Sequence, residues 1–166
     1  NLLFIAGHET TVNLIGTGIY ELLRHPEQAA IWRGDPELDA TAVDEMLRFV
    51  SPVQFSRRIT LDDIDFQGTT IPKGMFVLAG LASSNHDPKK WGHTAEELDV
   101  RRDGAGQHLS FGSGAHYCLG ASLAKLEAAI AIGTFLRRFP DASVSGNVEW
   151  NGRINLRGLE YLPVTV

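Results

Sequence analysis

The 166-residue chain contains one cysteine, Cys118, which stands in the glycine-rich segment FGSGAHYCLG at residues 111–120. Glycine permits positive φ and lets the backbone approach a bulky partner closely, so a flat ligand can lie on such a loop. A lone cysteine excludes an intramolecular disulfide framework. Three interpretations of Cys118 follow: a buried apolar thiol, a reactive thiolate or a metal ligand.

An apolar stripe after the cysteine predicts that a helix follows the loop directly. Four residues recur at helical spacing: Leu119, Leu123, Leu126 and Ile130. The helix is expected to run to Arg138 and stop before Pro140. Free N–H groups and the positive dipole end of a helix favour a thiolate at Cys118, which can ligate iron. A structural buried thiol remains the alternative at this point.

Two other binding motifs fit the loop poorly. Gly112 and Gly114 lack the third glycine of G-x-G-x-x-G, because Tyr117 stands at that position, and no Lys-Ser or Lys-Thr pair follows. His116 and Cys118 are spaced for the start of a zinc site, but there is no second cysteine. The sequence therefore argues against a nucleotide cradle and against zinc.

The remaining pattern predicts an α+β fold that is mainly helical, with one small sheet. Helices are expected from residue 1 to about 23, over 26–32 and over 42–50. Strands are expected at 58–61, 64–66, 70–71 and 75–81, with a turn at Gln67 and Gly68. Residues 82–114 are expected to lack regular structure and to serve a function. Asn151 and Gly152 predict a tight hairpin.

Charge and hydropathy exclude two classes of partner. The formal net charge is −5 and no basic run occurs, which argues against nonspecific binding to nucleic acid or to an anionic membrane. No apolar stretch approaches the roughly 18 residues of a transmembrane helix. The apolar opening at residues 2–5 has neither an initiator Met nor a signal peptide, so we expect a piece of a longer protein.

Two polar pairs stand inside predicted helices. Glu9 and Thr10 follow Gly7, which costs roughly 1 kcal/mol in a helix relative to Ala and suggests a kink or widened turn. Their carboxylate and hydroxyl can relay protons, although an ordinary amphipathic segment shows the same pattern. Glu45 and Arg48 are spaced i, i+3, which ordinarily indicates a solvated pair worth about 0.2–0.5 kcal/mol.

The cysteine loop resembles the haem-binding signature of cytochrome P-450. The matching residues are Phe111, Gly112, Gly114, His116, Cys118 and Gly120. The resemblance implies that the loop binds haem b, with Cys118 as the axial iron ligand, Phe111 shielding its sulfur and His116 contacting a propionate. Thiolate-ligated haem is the arrangement that favours O–O cleavage.

Three other segments are similar to P-450 motifs in the same order. The hexapeptide AGHETT at residues 6–11 resembles the oxygen-activation motif, which implies that Glu9 is the acid and Thr10 the alcohol. Glu45 and Arg48 match a buried E-x-x-R pair, whose role is structural. Arg58, rather than Arg57, matches a propionate-binding arginine, with a surface ion pair as the alternative.

The resemblance implies the carboxyl-terminal part of the P-450 fold: a long central helix, following helices, a small β-sheet, the cysteine loop and a final long helix. Residues 1–166 would be the haem-binding portion of a single larger domain whose amino-terminal half is absent. The expected activity is a cytoplasmic monooxygenase that inserts one atom of dioxygen into a small hydrophobic organic substrate. Electrons would come from NAD(P)H through a ferredoxin or flavoprotein.

Two other functions remain possible for such a fold. One is a non-catalytic haem-fold partner protein, and the other is a peroxide-driven hydroxylase. Glu9, Thr10 and Cys118 are all present, which argues against both.

Overall fold

Six helices make up most of the regular secondary structure in a computed structural model that describes the backbone of residues 2–166 and the side chains from residue 6 onwards. The apolar side chains at 2–5 lie outside the described residues. The helices are α1 (Leu2–Arg24), α2 (Pro26–Gly34), α3 (Asp39–Val50), α4 (Leu81–Ser84), α5 (Pro88–Trp91) and α6 (Ala121–Arg138).

Prolines and local backbone geometry define the helix ends. α1 ends at Arg24 and Pro26 opens α2 in its first turn, where a missing N–H costs nothing. α3 starts three residues earlier than the predicted position 42 and ends as predicted at Val50. Ser51 then takes a left-handed φ of 35° and its amide donates to Leu47 O, which closes the helix before Pro52.

The hydrophobic core lies between α1, α3 and α6. Its fully buried members include Leu14, Leu22, Trp32, Val43, Met46 and Ile132. A Cβ at Gly18 would lie 3.1 Å from Ile132 and 3.6 Å from the Met46 sulfur. A glycine at position 18 therefore allows α1 to pack closely against both other helices.

The apolar stripe that predicted α6 does not face this core. Leu123, Leu126 and Ile130 are each more than half exposed, and Leu119 is 92% exposed. The helix instead buries Ala128, Ile132 and Leu136. α6 thus has one apolar face in the core and a second apolar face at the surface.

The strands form four separate antiparallel pairs, so the prediction of one sheet is wrong. Strands β1 (Phe55–Ile59) and β4 (Phe76–Gly80) pair, as do β2 (Ile64–Phe66) and β3 (Thr69–Ile71). β5 (Ser143–Val144) pairs with β8 (Val164–Thr165), and β6 (Glu149–Trp150) with β7 (Leu159–Tyr161). The turn predicted at Gln67 and Gly68 is present, with φ of 53° and 78°.

The predicted tight hairpin at Asn151 and Gly152 is wrong. The next strand, which pairs with Glu149–Trp150, begins only at Leu159, so residues 151–158 form a long loop. The Asn151 side chain accepts from Arg153 N at 3.1 Å and donates to Leu156 O at 3.0 Å. These local hydrogen bonds close a turn inside the loop and delay the return of the chain.

The segment at residues 82–114 is more regular than predicted. It contains most of α4, all of α5 and short 3₁₀ turns at Gly92–Thr94 and Ala105–Gln107. Its backbone carbonyls and Asn85 bind side chains of α3, which places the following cysteine loop beside that helix. Within residues 2–166, none of the helices combines the length and apolar character needed to cross a bilayer.

Candidate functional site

The cysteine loop presents Cys118 at the surface. The Cys118 amide donates to Phe111 O at 3.0 Å, and Ala121 N donates to Cys118 O at 3.3 Å as α6 begins. Cys118 is an exposed free cysteine. This exposure contradicts the alternative of a buried structural thiol.

Three glycines leave an open face beside the sulfur. Gly112 and Gly114 have left-handed φ of 72° and 74°, and a Cβ built on either would meet nothing within 4 Å. A Cβ at Gly120 would lie 4.0 Å from Cys118 Sγ. Residues 113–120 are all exposed. An exposed thiol beside an open, side-chain-free face fits a flat haem whose iron takes one cysteine ligand.

The two side chains expected at the haem propionates, His116 and Arg58, differ in their contacts. His116 is exposed in a short 3₁₀ turn, Gly114–His116, within the loop. Arg58 lies on β1 opposite Val77, and its guanidinium donates to Arg57 O at 2.7 Å and to Ser56 Oγ. The hydrogen bonds of Arg58 therefore stay within its own strand.

The acid and alcohol on α1 each have a partner. Thr10 Oγ1 donates to Ala6 O at 2.7 Å, and Glu9 forms an ion pair with Arg153 from the β6–β7 loop. The backbone is α-helical throughout α1, without a widened turn at Gly7. In the part of the chain that the structure describes, no hydrogen bond or ion pair links Glu9 or Thr10 to the cysteine loop.

Glu45 and Arg48 form a fully buried pair rather than a solvated one. Glu45 Oε2 lies 2.7 Å from Arg48 Nε, and both side chains have no exposed area. Arg102 Nε lies 3.1 Å from both oxygens of Glu45, so one carboxylate neutralises part of two guanidinium groups. The sequence analysis did not identify Arg102 as a partner of Glu45, because the two residues are 57 positions apart in the chain.

Arg48 also holds the segment that leads to the cysteine loop. Its guanidinium donates to three backbone carbonyls, at 2.8 Å to Asn85, 2.7 Å to Ala95 and 2.8 Å to Glu97. These charge-assisted bonds tie an irregular segment to a rigid helix. Arg48, paired with Glu45, thus holds the segment that precedes the cysteine loop against α3.

Asn85 connects the end of α3 with the start of the loop. Its side-chain amide donates to Ser51 Oγ and Ser110 Oγ, both at 2.8 Å, and its carbonyl accepts from Leu109 N at 2.7 Å. All groups of this network are buried or half-buried. The backbone just before Phe111 is therefore fixed relative to α3.

Comparisons with known proteins agree with this architecture. A sequence model of the family described as cytochrome P450 matches residues 37–150. Cytochrome P450 CYP107DY1 of Priestia megaterium is 46% identical over 166 residues, which cover 98% of this chain and 40% of the relative. Cytochrome P450 monooxygenase PikC of Streptomyces venezuelae is 45% identical over 168 residues, which cover 99% of this chain and 40% of that protein.

A solved structure shows the same arrangement of elements. The crystal structure of P450BioI in complex with hexadec-9Z-enoic acid ligated acyl carrier protein matches with a TM-score of 0.94 at 46% identity. The match covers 99% of this chain and 42% of that chain. The chain thus spans about 40% of the length of the curated relatives it matches. On sequence and structure together, the chain belongs to the cytochrome P450 family.

Proposed function

We propose that this chain carries the haem-thiolate site of a monooxygenase that inserts one oxygen atom from dioxygen into a hydrophobic organic substrate. Family membership implies a haem iron cofactor. The observation that carries the proposal is the cysteine loop, in which an exposed thiol stands beside an open glycine face. A relative that matches nearly the whole chain is named a monooxygenase.

The loop residues have distinct roles in this proposal. Cys118 Sγ would hold the haem iron, and the Phe111 ring would shield the sulfur from water. Gly112 and Gly120 keep the ligand face free of side chains. Side-chain N–H groups of His116 and Arg58 would bind the two propionate carboxylates.

When bound, the haem iron supplies the centre at which dioxygen is reduced and one oxygen atom is transferred. Glu9 and Thr10 move the protons that this reduction consumes. Thr10 Oγ1 donates a hydrogen bond to Ala6 O, which leaves its lone pairs free to accept a hydrogen bond from a proton donor. Glu9 is one-third exposed and its only described ion-pair partner is Arg153, a surface contact that can exchange. The carboxylate can therefore collect protons from solvent.

Two further features belong to the complete protein. We propose that electrons come from NAD(P)H through a ferredoxin or flavoprotein, and that residues 1–166 are the haem-binding part of one larger domain. The exposed apolar face of α6 supports the second proposal, because such faces in native domains are usually covered.

The carbonyl complex of the reduced, haem-loaded protein tests the role of Cys118. We expect a strongly red-shifted Soret band, which Cys118→Ser abolishes because a hydroxyl does not supply a thiolate. Ser113→Ala, in the same exposed loop, is the matched control and should leave the band in place. A Cys118→Ser protein that kept the shifted band would disprove thiolate ligation by this residue.

A further inference from the structure

A partly buried charged cluster of Asp44, His108 and Lys125 joins α3, the approach to the cysteine loop and α6. Lys125 Nζ lies 2.6 Å from Asp44 Oδ1, and His108 Nε2 lies 3.5 Å from the same oxygen. The His108 side chain is only 2% exposed. A Cβ at Gly106 would lie 3.0 Å from Asp44 Oδ2, so the segment before the loop packs tightly on this carboxylate.

The tautomer of His108 follows from its neighbours. Ser110 N–H donates to His108 Nδ1 at 3.1 Å, so Nδ1 is the acceptor and the ring proton is assigned to Nε2. Nε2 faces Asp44 Oδ1 at 3.5 Å, a contact outside hydrogen-bond geometry, and neither atom has a hydrogen-bond partner among the described residues. Asp44 is therefore the group towards which this buried N–H points.

Asp44 is a carboxylate under ordinary conditions. Burial raises the pKa of Asp44, but the interactions with His108 and Lys125 outweigh burial and leave the pKa below its usual range. The Asp44 charge therefore attracts both the Lys125 ammonium at 2.6 Å and the His108 ring at 3.5 Å.

The cluster reaches Cys118 through Phe111. The rings of His108 and Phe111 have centroids 5.5 Å apart, and Lys125 Nζ lies 6.0 Å from the Phe111 centroid. Phe111 O accepts the amide proton of Cys118. His108 and Lys125 thus contact the ring of the residue whose carbonyl holds the cysteine.

We propose that His108, oriented by Asp44, is a positioning residue that sets the strength of Cys118 as an iron ligand by fixing Phe111. This inference rests on the proposed function. In the haem-loaded protein the haem would cover the exposed side of Cys118, and a displaced Phe111 ring would then let water reach the sulfur and hydrogen-bond to it. Hydrogen bonds to a ligating sulfur reduce its electron donation and raise the reduction potential of the iron.

The test compares variants of the haem-loaded complete protein. His108→Phe keeps a ring but loses both nitrogens, and Asp44→Asn removes the charge that orients His108. His108→Gln keeps an N–H donor at the same reach. Arg137→Gln is the matched control, because Arg137 and Asp39 also bridge α3 and α6 at 3.2 Å, in a pair that makes no contact with the loop.

At equal folded fraction and haem content, His108→Phe and Asp44→Asn should shift the reduction potential upwards and reduce the share of carbonyl complex with the red-shifted band. His108→Gln should restore part of both signals, and Arg137→Gln should match the unaltered protein. If His108→Phe does not retain haem, Asp44→Asn and His108→Gln decide the question.

Two results would overturn the inference. One is an unchanged potential and band in both Asp44→Asn and His108→Phe. The other is an equal shift in Arg137→Gln, which would show a general loosening between α3 and α6. An unaltered protein without the red-shifted band would instead refute the proposed function itself.

Discussion

Thr10 has a hydroxyl whose loss changes little in the packing of α1. Its Oγ1 bonds only to a carbonyl of its own helix in the described structure. We expect Thr10→Ala to keep haem and substrate binding but to divert reducing equivalents to peroxide, because the proton relay is broken. The measurement is product formed per NAD(P)H oxidised in the reconstituted protein.

Thr10→Ser is the control for this change, since it keeps the hydroxyl and loses only a methyl group. It should retain most of the coupling. Equal coupling in Thr10→Ala and the unaltered protein would contradict a role for this hydroxyl in proton delivery.

The ionisation of Asp44 makes the free energy of unfolding depend on pH in the acidic range. Burial opposes its ionisation, but His108 and Lys125 lower its pKa overall. A lowered folded-state pKa contributes stability that is present above the unfolded value of about 3.9 and is lost as pH falls through the folded pKa. As the pH is lowered below about 4, the free energy of unfolding should therefore fall less in Asp44→Asn than in the unaltered protein, as measured by urea denaturation.

The same titration distinguishes this carboxylate from others. Asp62 lies at the surface, with a 91% exposed side chain, and Asp62→Asn should leave the acid dependence unchanged. If the free energy of unfolding depended on pH in the same way in Asp44→Asn and in the unaltered protein, the pKa of Asp44 would not differ between the folded and unfolded states.

At the scale of elements, buried charged side chains hold α3 to the segment at residues 82–114. Glu45→Gln would leave Arg48 and Arg102 buried without their shared carboxylate. Breaking a buried pair in this way costs about 3–5 kcal/mol, so we expect the urea midpoint to fall sharply. Arg137→Gln removes an exposed pair and should cost less than about 1 kcal/mol. Comparable losses in the two variants would contradict this view of α3.

Local sequence signals were enough for α1, α2, α3 and α6 and for the glycine-rich backbone of the cysteine loop, but not for the short helices α4 and α5. Pro26 and Pro140 mark helix limits in the sequence, and the glycines around Cys118 indicate a backbone with positive φ angles. The clusters of charge were not predictable in the same way. Arg102 meets Glu45 across 57 residues, and no periodic pattern joins positions so far apart.

The failures also have physical causes. Asn151 and Gly152 form a strong hairpin signal, but the Asn151 side chain bonds inside a longer loop. The stripe of Leu123 and Leu126 predicts the right helix without saying which apolar face of that helix enters the core. Periodicity gives the secondary structure, and burial depends on the rest of the fold.

At the scale of the whole molecule, the surface of these 166 residues carries a large apolar area on α6. Leu123, Leu126 and Ile130 lie on one exposed stripe, and each exposed large side chain forgoes roughly 1.5–3 kcal/mol of burial. Net domain stabilities are only about 5–15 kcal/mol. We expect the isolated 166 residues to self-associate, to bind haem weakly and to show no turnover, as measured by sedimentation velocity, haem titration and product assay.

Leu123→Lys with Leu126→Lys should reduce the association. Ile154→Lys replaces an 81% exposed apolar residue that belongs to the β6–β7 loop rather than to α6, and it should have little effect. A monomeric fragment that holds haem stoichiometrically and hydroxylates a substrate would contradict these expectations.

The division of the strands into four separate pairs has a dynamic consequence. β2 and β3 pair only with each other, and residues 61–70 are all exposed, so little tertiary packing supports this hairpin. An isolated two-stranded hairpin is at best marginally stable. Its amide protons should therefore exchange with deuterated solvent through local opening, while the amides of α3 exchange only when the whole core opens. The segment between β1 and β4 can therefore open locally while α3 and the segment that leads to the cysteine loop stay folded.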